Sequence, residues 1–331
     1  MNLTTRYMGL DLKTPLVSSA SPLNADLDNI RRLEDAGIGA IVLPSLFEEE
    51  IQAGTSRLED QANRQVTRSQ SNYFPESSPF HAGPEGYLNF VRRATEAVEI
   101  PIFGSLNGTT DHGWIARAQE IEKAGAKGLE LNIYFIPTDL SATGRDVERR
   151  YLDILTAVRS TVSIPVAMKL SPYFSSFGHM AREFVGAGAD GLVLFNRFYQ
   201  PDVDIEGLHL VNDLQLSGRN EMRLPLLWIA VLAGRTDASL AASTGVETAD
   251  QVIKYLLVGA DVVMTTSALM RHGVGYVESL VTGIRGWLTA HEIQSLDEIR
   301  GMLSRARVHN PDTFERANYM NILHGFSYFD R

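Results

Sequence analysis

A lysine interrupts the apolar run VAMKL (Val166–Leu170), and it is one of five lysines among the 30 lysines and arginines of the chain. An ammonium inside such a run is costly unless it is paired or bound to a ligand, so Lys169 is the residue most expected to do chemistry. The structural alternative is a lysine neutralised by Glu130 on a neighbouring strand. Other apolar runs end in small hydroxyls and amides: Ser18, Ser19, Ala20 and Ser21, then Asn107, Asn132, Asn196, Ser243-Thr244-Gly245 and Thr266-Ser267. That set suits a planar ligand carrying a phosphate, because hydroxyls and backbone N–H groups receive phosphate while amides read ring edges. No metal site is expected. The histidines form no H-x-H or H-E-x-x-H pair, and Glu130, apart from any carboxylate cluster, is expected to face outward or to pair locally.

These residues need a scaffold that brings strand ends together. An amphipathic stretch closing in Ala-Gly or Gly-Ala, followed by aliphatic residues, recurs at Leu33–Leu43, Ile121–Asn132, Phe184–Asn196 and Leu256–Thr266. Glycine there supplies the left-handed end of a helix, and a buried parallel strand follows. Proline opens further apolar runs at Pro15, Pro101 and Pro165. Together with Ser239–Ser243 these predict eight inner strands, near Leu16–Ser19, Ala40–Leu43, Ile102–Leu106, Gly128–Asn132, Val166–Leu170, Leu192–Asn196, Ser239–Ser243 and Val262–Thr265. The expected fold is α/β, a (β/α)8 TIM barrel forming one domain over residues 1–331, with an open doubly wound sheet as the alternative. The stretch at about 47–90 is polar and turn-rich, as expected of a lid or insertion over the barrel mouth, and about 305–331 reads as a C-terminal extension. LPLLWIAVLAG (Leu224–Gly234) is expected to add a hairpin or strand pair.

Ser243–Thr248 lies after the seventh strand, where barrels of this type build a phosphate site, and Thr248 with Gln251 makes a capping box for the next helix. The bland alternative is an ordinary loop and cap. Gly186, Gly188 and Gly191 match G-x-G-x-x-G, yet they end a helix and open a strand, the reverse of a dinucleotide fingerprint. Forty acidic against 30 basic residues, a net charge of −10, oppose binding to nucleic acid or anionic membranes. No apolar run reaches the ~20 residues of a membrane span, and the N-terminus lacks a signal-peptide pattern, so the chain reads as cytoplasmic. The absence of any cysteine excludes disulfides, thiolate metal sites and a cysteine nucleophile or base.

From about Pro15 to Gly273 the chain resembles the dihydroorotate dehydrogenases, FMN enzymes on a (β/α)8 barrel, and especially their soluble class 1 branch. The matches are Glu130-Leu131-Asn132, VAMKLSPYF (Val166–Phe174) and STGVETADQVIKYLLVGADVVMTTSAL, beginning at Ser243. The resemblance implies FMN as cofactor, with Lys169 against the flavin N1 and C2 carbonyl. It implies that Asn132 and Asn196 hydrogen-bond the flavin or substrate ring, with Asn107 also at the cofactor. Ala20 and Ser21 would face the isoalloxazine, and Ser243, Thr244, Gly245, Thr266 and Ser267 would hold the phosphate.

Three positions depart from the family pattern. Its class 1 members carry a cysteine base in N-L-S-C-P-N; here Phe135 stands there, and Pro137 stands where an asparagine grips the substrate. Leu43 replaces a lysine after the second strand. Phenylalanine accepts no proton, and general-base catalysis is worth ~10²–10⁴-fold, so poor dihydroorotate oxidation is expected. Tyr134 is the nearest titratable substitute, with ring packing as its alternative role. The expected function is therefore FMN-dependent hydride transfer between a dihydropyrimidine-like small molecule and flavin N5, in the style of pyrimidine biosynthesis. Alternatives are an electron-transfer accessory docking with a redox partner protein, and a barrel aldolase or isomerase using Lys169 as a Schiff base. A homodimer is the expected assembly.

Overall fold

The computed structural model describes residues 1–49, 83–108, 114–198, 200–211 and 213–325. Eight parallel strands form its centre: Leu16–Ser18 (β1), Ala40–Val42 (β2), Ile102–Gly108 (β3), Gly128–Ile133 (β4), Val166–Leu170 (β5), Gly191–Leu194 (β6), Ser239–Ala242 (β7) and Val262–Thr265 (β8). Each pairs with the next in sequence, and β8 returns to β1 with Val263 opposite Leu16 and Thr265 opposite Ser18. That last pairing closes a (β/α)8 barrel and excludes the open sheet.

The helices that follow the strands are Leu27–Asp35 (α1), Gly83–Ala97 (α2), Trp114–Lys123 (α3), Gly144–Arg159 (α4), Phe177–Gly186 (α5), Arg223–Leu232 (α6), Ala249–Val258 (α7) and Ser267–His272 (α8). The Ala-Gly signal works as its chemistry requires. Gly37, Gly125, Gly188 and Gly259 all have left-handed φ, between 96° and 113°, at the turn from helix to strand. Strand residues of alternate parity then divide between two cores. One fills the layer between strands and helices; the other fills the bore with Val17, Ala40, Val42, Phe103, Ala167, Val193, Ala241, Val262 and Met264. An antiparallel hairpin, Thr5–Tyr7 with Leu10–Leu12, closes the bottom and adds Tyr7, Met8 and Leu12 to the bore. The polar strand ends lie at the opposite, C-terminal end.

Two expectations need correction. The LPLLWIAVLAG run is helix α6, not a hairpin: Pro225, Ile229, Ala230 and Leu232 are buried while Leu224 and Leu227 face out. A uniformly apolar run has no period to distinguish buried helix from strand, and proline is tolerated in a first helical turn. The hairpin of this excursion lies earlier, Asp202–Asp204 against His209–Val211. The expected insertion at about 47–90 is also partly regular structure. Leu46–Phe47 pairs with β3, and residues 83–97 form α2, which buries Tyr87, Leu88, Val91 and Ala94; residues 50–82 lie outside the described residues. In the C-terminal extension, Pro311–Phe314 makes a short 3-10 turn and Arg316–His324 a helix.

Candidate active site

Strand register builds the floor of the site. Asn107 of β3 is opposite Asn132 of β4, which is opposite Lys169 of β5, so three polar residues occupy one level of the barrel. Below them Glu130 shares the parity of Asn132 and points into the bore, where it is 2% exposed; of its two expected placements, outward or locally paired, the structure has the second. Lys169 Nζ lies 3.4 Å from Glu130 Oε1 and 3.4 Å from Ser19 Oγ. The lysine is thus both paired, as the structural reading holds, and open to the cleft, as the functional one requires. Asn196 Nδ2 donates to Asn132 Oδ1 at 2.6 Å, joining the ends of β4 and β6.

A cleft with about 140 Å³ of internal space opens above this floor. Ser19, Ala20, Lys169, Asn196, Ser243, Thr244, Gly245, Thr266 and Ser267 line it, so residues as far apart as Ser19 and Ser267 meet at one place. Its far wall is a strained loop. Thr244 has φ +83°, a conformation that a β-branched residue rarely adopts, and two bonds hold it there: Thr244 Oγ1 donates to Phe195 O at 3.1 Å, and Tyr255 Oη donates to Thr244 O at 2.8 Å. Gly245 follows at φ +76°; a Cβ there would lie 3.0 Å from Gly218 O, Met222 N and Met222 Cβ. The loop backbone is therefore packed directly on Gly218 and Met222. The capping box beyond is present, with Thr248 N and Oγ1 both 2.7 Å from Gln251 Oε1.

Ser217, which sequence reading missed, completes this wall. Its Oγ is 2.9 Å from Ser267 Oγ and accepts from Gly245 N at 3.2 Å, while Arg271 Nη2 donates to the carbonyls of Leu216 and Ser217. Its one sequence signal was a Ser-Gly turn pair in the long excursion after β6. Small hydroxyls, a glycine with no room for a side chain, and a lysine at the opposite wall fit a phosphate at one end and an electron-rich ring edge at the other.

Other expected site residues fall outside the cleft lining. Ser21 is buried beside it with an Oγ that has no hydrogen-bond partner, and Asn107 is half-buried at its level. Tyr134 is half-buried with its ring centroid 4.7 Å from that of Phe198, which is in turn 5.5 Å from Tyr173. Phe135 turns to Arg150, whose guanidinium lies 4.1 Å from the ring centroid, and Pro137 is exposed. Leu43 is fully buried in the layer between strands and helices. Among the described residues no three histidine, aspartate or glutamate side chains are placed to hold a metal, and no helix is long and apolar enough to cross a membrane.

Comparison with known proteins agrees with this geometry. The sequence pattern of the dihydroorotate dehydrogenase family matches residues 2–288. A chain of Aeropyrum pernix provisionally named dihydroorotate dehydrogenase A (fumarate) is 30% identical over 224 residues, 65% of this chain and 72% of that one. The catalytic subunit of dihydroorotate dehydrogenase B (NAD(+)) from Methanocaldococcus jannaschii is 23% identical over 308 residues, covering 91% of this chain and 97% of its own. The NAD-dependent dihydropyrimidine dehydrogenase subunit PreA of Escherichia coli is 21% identical over 318 residues, covering 91% and 76%. A barrel whose strand ends gather a lysine, two bonded amides and a hydroxyl-lined loop, with a family match over most of its length, belongs to the dihydroorotate dehydrogenase family of flavin oxidoreductases.

Proposed function

We propose that the chain is an FMN-dependent oxidoreductase acting on a CH–CH bond of a dihydropyrimidine-like substrate. The observation that carries this reading is the single cleft in which Lys169, Asn196 and the Ser243–Gly245 and Thr266–Ser267 loops converge. When bound there, FMN supplies the hydride acceptor, its N5. Ser243, Thr244, Gly245, Thr266 and Ser267, with Ser217, would receive its phosphate through hydroxyls and backbone N–H groups. Ala20 and Ser21 would contact the ring, and Lys169 would present its ammonium to the N1 and C2 carbonyl edge, where negative charge gathers on reduction. Asn132, Asn196 and Asn107 present amides to the ring edges of cofactor and substrate.

Substrate chemistry follows from the three departures. Phe135 stacks under Arg150, so the position of the family's base holds no proton acceptor, and Leu43 and Pro137 bring neither a cation nor an amide to a substrate carboxylate. Tyr134 is the one phenol next to Asn132, and its contact with Phe198 supports ring packing over proton transfer. Dihydroorotate oxidation should accordingly run about 10²–10⁴-fold below that of an enzyme with a placed base. Anaerobic bleaching of the bound flavin by dihydroorotate, and by neutral dihydropyrimidines lacking the carboxylate, checks this. The neutral compounds should bleach faster; rapid dihydroorotate turnover that survives Tyr134→Phe would contradict the account of the missing base. Failure of every such compound to bleach the flavin would favour an accessory that exchanges electrons with a redox partner protein. The relative PreA is named as a subunit, which supports a partner. The homodimer reading draws on the hairpin at the mouth, whose Val203, Ile205, Leu208 and Leu210 are 57–87% exposed.

A further inference from the structure

We propose that Glu130 is a positioning residue that sets the charge Lys169 presents to the flavin, an inference that rests on the flavin reading above. Glu130 is 2% exposed and Lys169 8%, and their carboxylate and ammonium are 3.4 Å apart on adjacent strands. Such a pair is a poor device for stability, because taking both charges out of water offsets most of their attraction; apolar residues of equal volume would hold the barrel as well. Its place under the cofactor cleft gives it another use.

The surroundings of Glu130 leave Lys169 as the counter-charge. Among the described residues, no other ion pair reaches it, and its Oε2 is buried with no hydrogen-bond partner. From the barrel bottom comes Tyr7, whose hydroxyl is likewise buried and unpartnered; burial above all, then the charges of Glu130 and Asp261, hold that phenol well above its ordinary pKa, so it stays neutral. The bore therefore carries a carboxylate below, an ammonium at the cleft floor, and Ser19 Oγ as the ammonium's second contact.

Two consequences follow. The carboxylate anchors the lysine's end from beneath, fixing where it meets the ring edge. It also cancels part of the lysine's field, and in so dry a setting that cancellation is strong. Lys169 alone would favour the electron-rich reduced ring; Lys169 with Glu130 favours it less. Glu130 thus lowers the reduction potential of the bound cofactor.

The test is the midpoint potential of the FMN-reconstituted full chain, read spectroscopically against reference dyes. Glu130→Gln, which keeps shape and removes charge, should favour the reduced cofactor at least tenfold, a positive shift of about 30 mV or more for a two-electron couple. A potential unmoved or lowered by Glu130→Gln overturns the inference while leaving FMN binding and the proposed function intact. Should Glu130→Gln not fold, Glu130→Asp withdraws the carboxylate by one methylene, and a positive shift is again required. A wild-type chain that takes up no FMN removes the proposed function, and this inference falls with it.

Discussion

Lys169→Met should cost the protein about 3 kcal/mol of unfolding free energy even without cofactor, and should slow flavin-dependent turnover about 10²–10³-fold. The stability loss comes from beneath the lysine. Methionine fills the same volume, but Glu130 is then left charged or forced to take up a proton at 2% exposure, with one oxygen already unpartnered. Breaking one side of a buried pair costs about 3–5 kcal/mol, and the 3.4 Å separation places this pair at the low end. The loss in turnover has a different origin, removal of the positive charge facing the ring edge. Urea unfolding separates the two. Adding Glu130→Gln to Lys169→Met should recover most of the stability and none of the turnover; recovery of both would mean that the lysine acts only in folding.

Gly245→Val should raise the FMN dissociation constant about 10–100-fold while leaving the barrel folded. The residue is buried and holds φ +76°, and a Cβ would meet Gly218 O, Met222 N and Met222 Cβ at 3.0 Å. Backbone strain of this kind amounts to about 1–3 kcal/mol, and each 1.4 kcal/mol is about tenfold in affinity. The loop can relieve the strain only by moving away from Ser217, whose hydroxyl bonds Gly245 N and Ser267 and belongs to the proposed phosphate wall. Fluorescence titration of the apoprotein with FMN measures the change. Unaltered affinity would mean that the phosphate binds elsewhere.

The barrel was legible wherever one residue type has one conformational consequence. Glycine closing each of the four Ala-Gly phrases turns left-handed and the apolar residues after it are buried strand, which places four strands, and the runs opened by Pro15, Pro101 and Pro165 place three more. Leu224–Gly234 was not legible, because a run with no polar residue hides its period; only burial of Ile229 and Ala230 beside exposed Leu227 reveals a helix. The cleft lining was readable from strand ends, since barrel topology brings strand ends together whatever their sequence distance. Ser217 belongs to no strand end and is brought in by Arg271, a contact across 54 residues that no local pattern encodes. For Glu130, pairing with Lys169 was legible as the alternative reading, and only the inward orientation was not. If Asn132 faces the cleft, the residue two before it on the same strand must face the bore, and parity alone would have turned its carboxylate inward toward Lys169.

The central claim is that this cleft holds FMN, and the most direct measurement is the visible spectrum of the purified full chain, with quantitation of the nucleotide released on denaturation and uptake of FMN by the apoprotein. A yellow protein that releases FMN in stoichiometric amount, or an apoprotein that takes it up to that level, is the predicted result. A colourless protein that takes up no FMN on reconstitution would contradict the account.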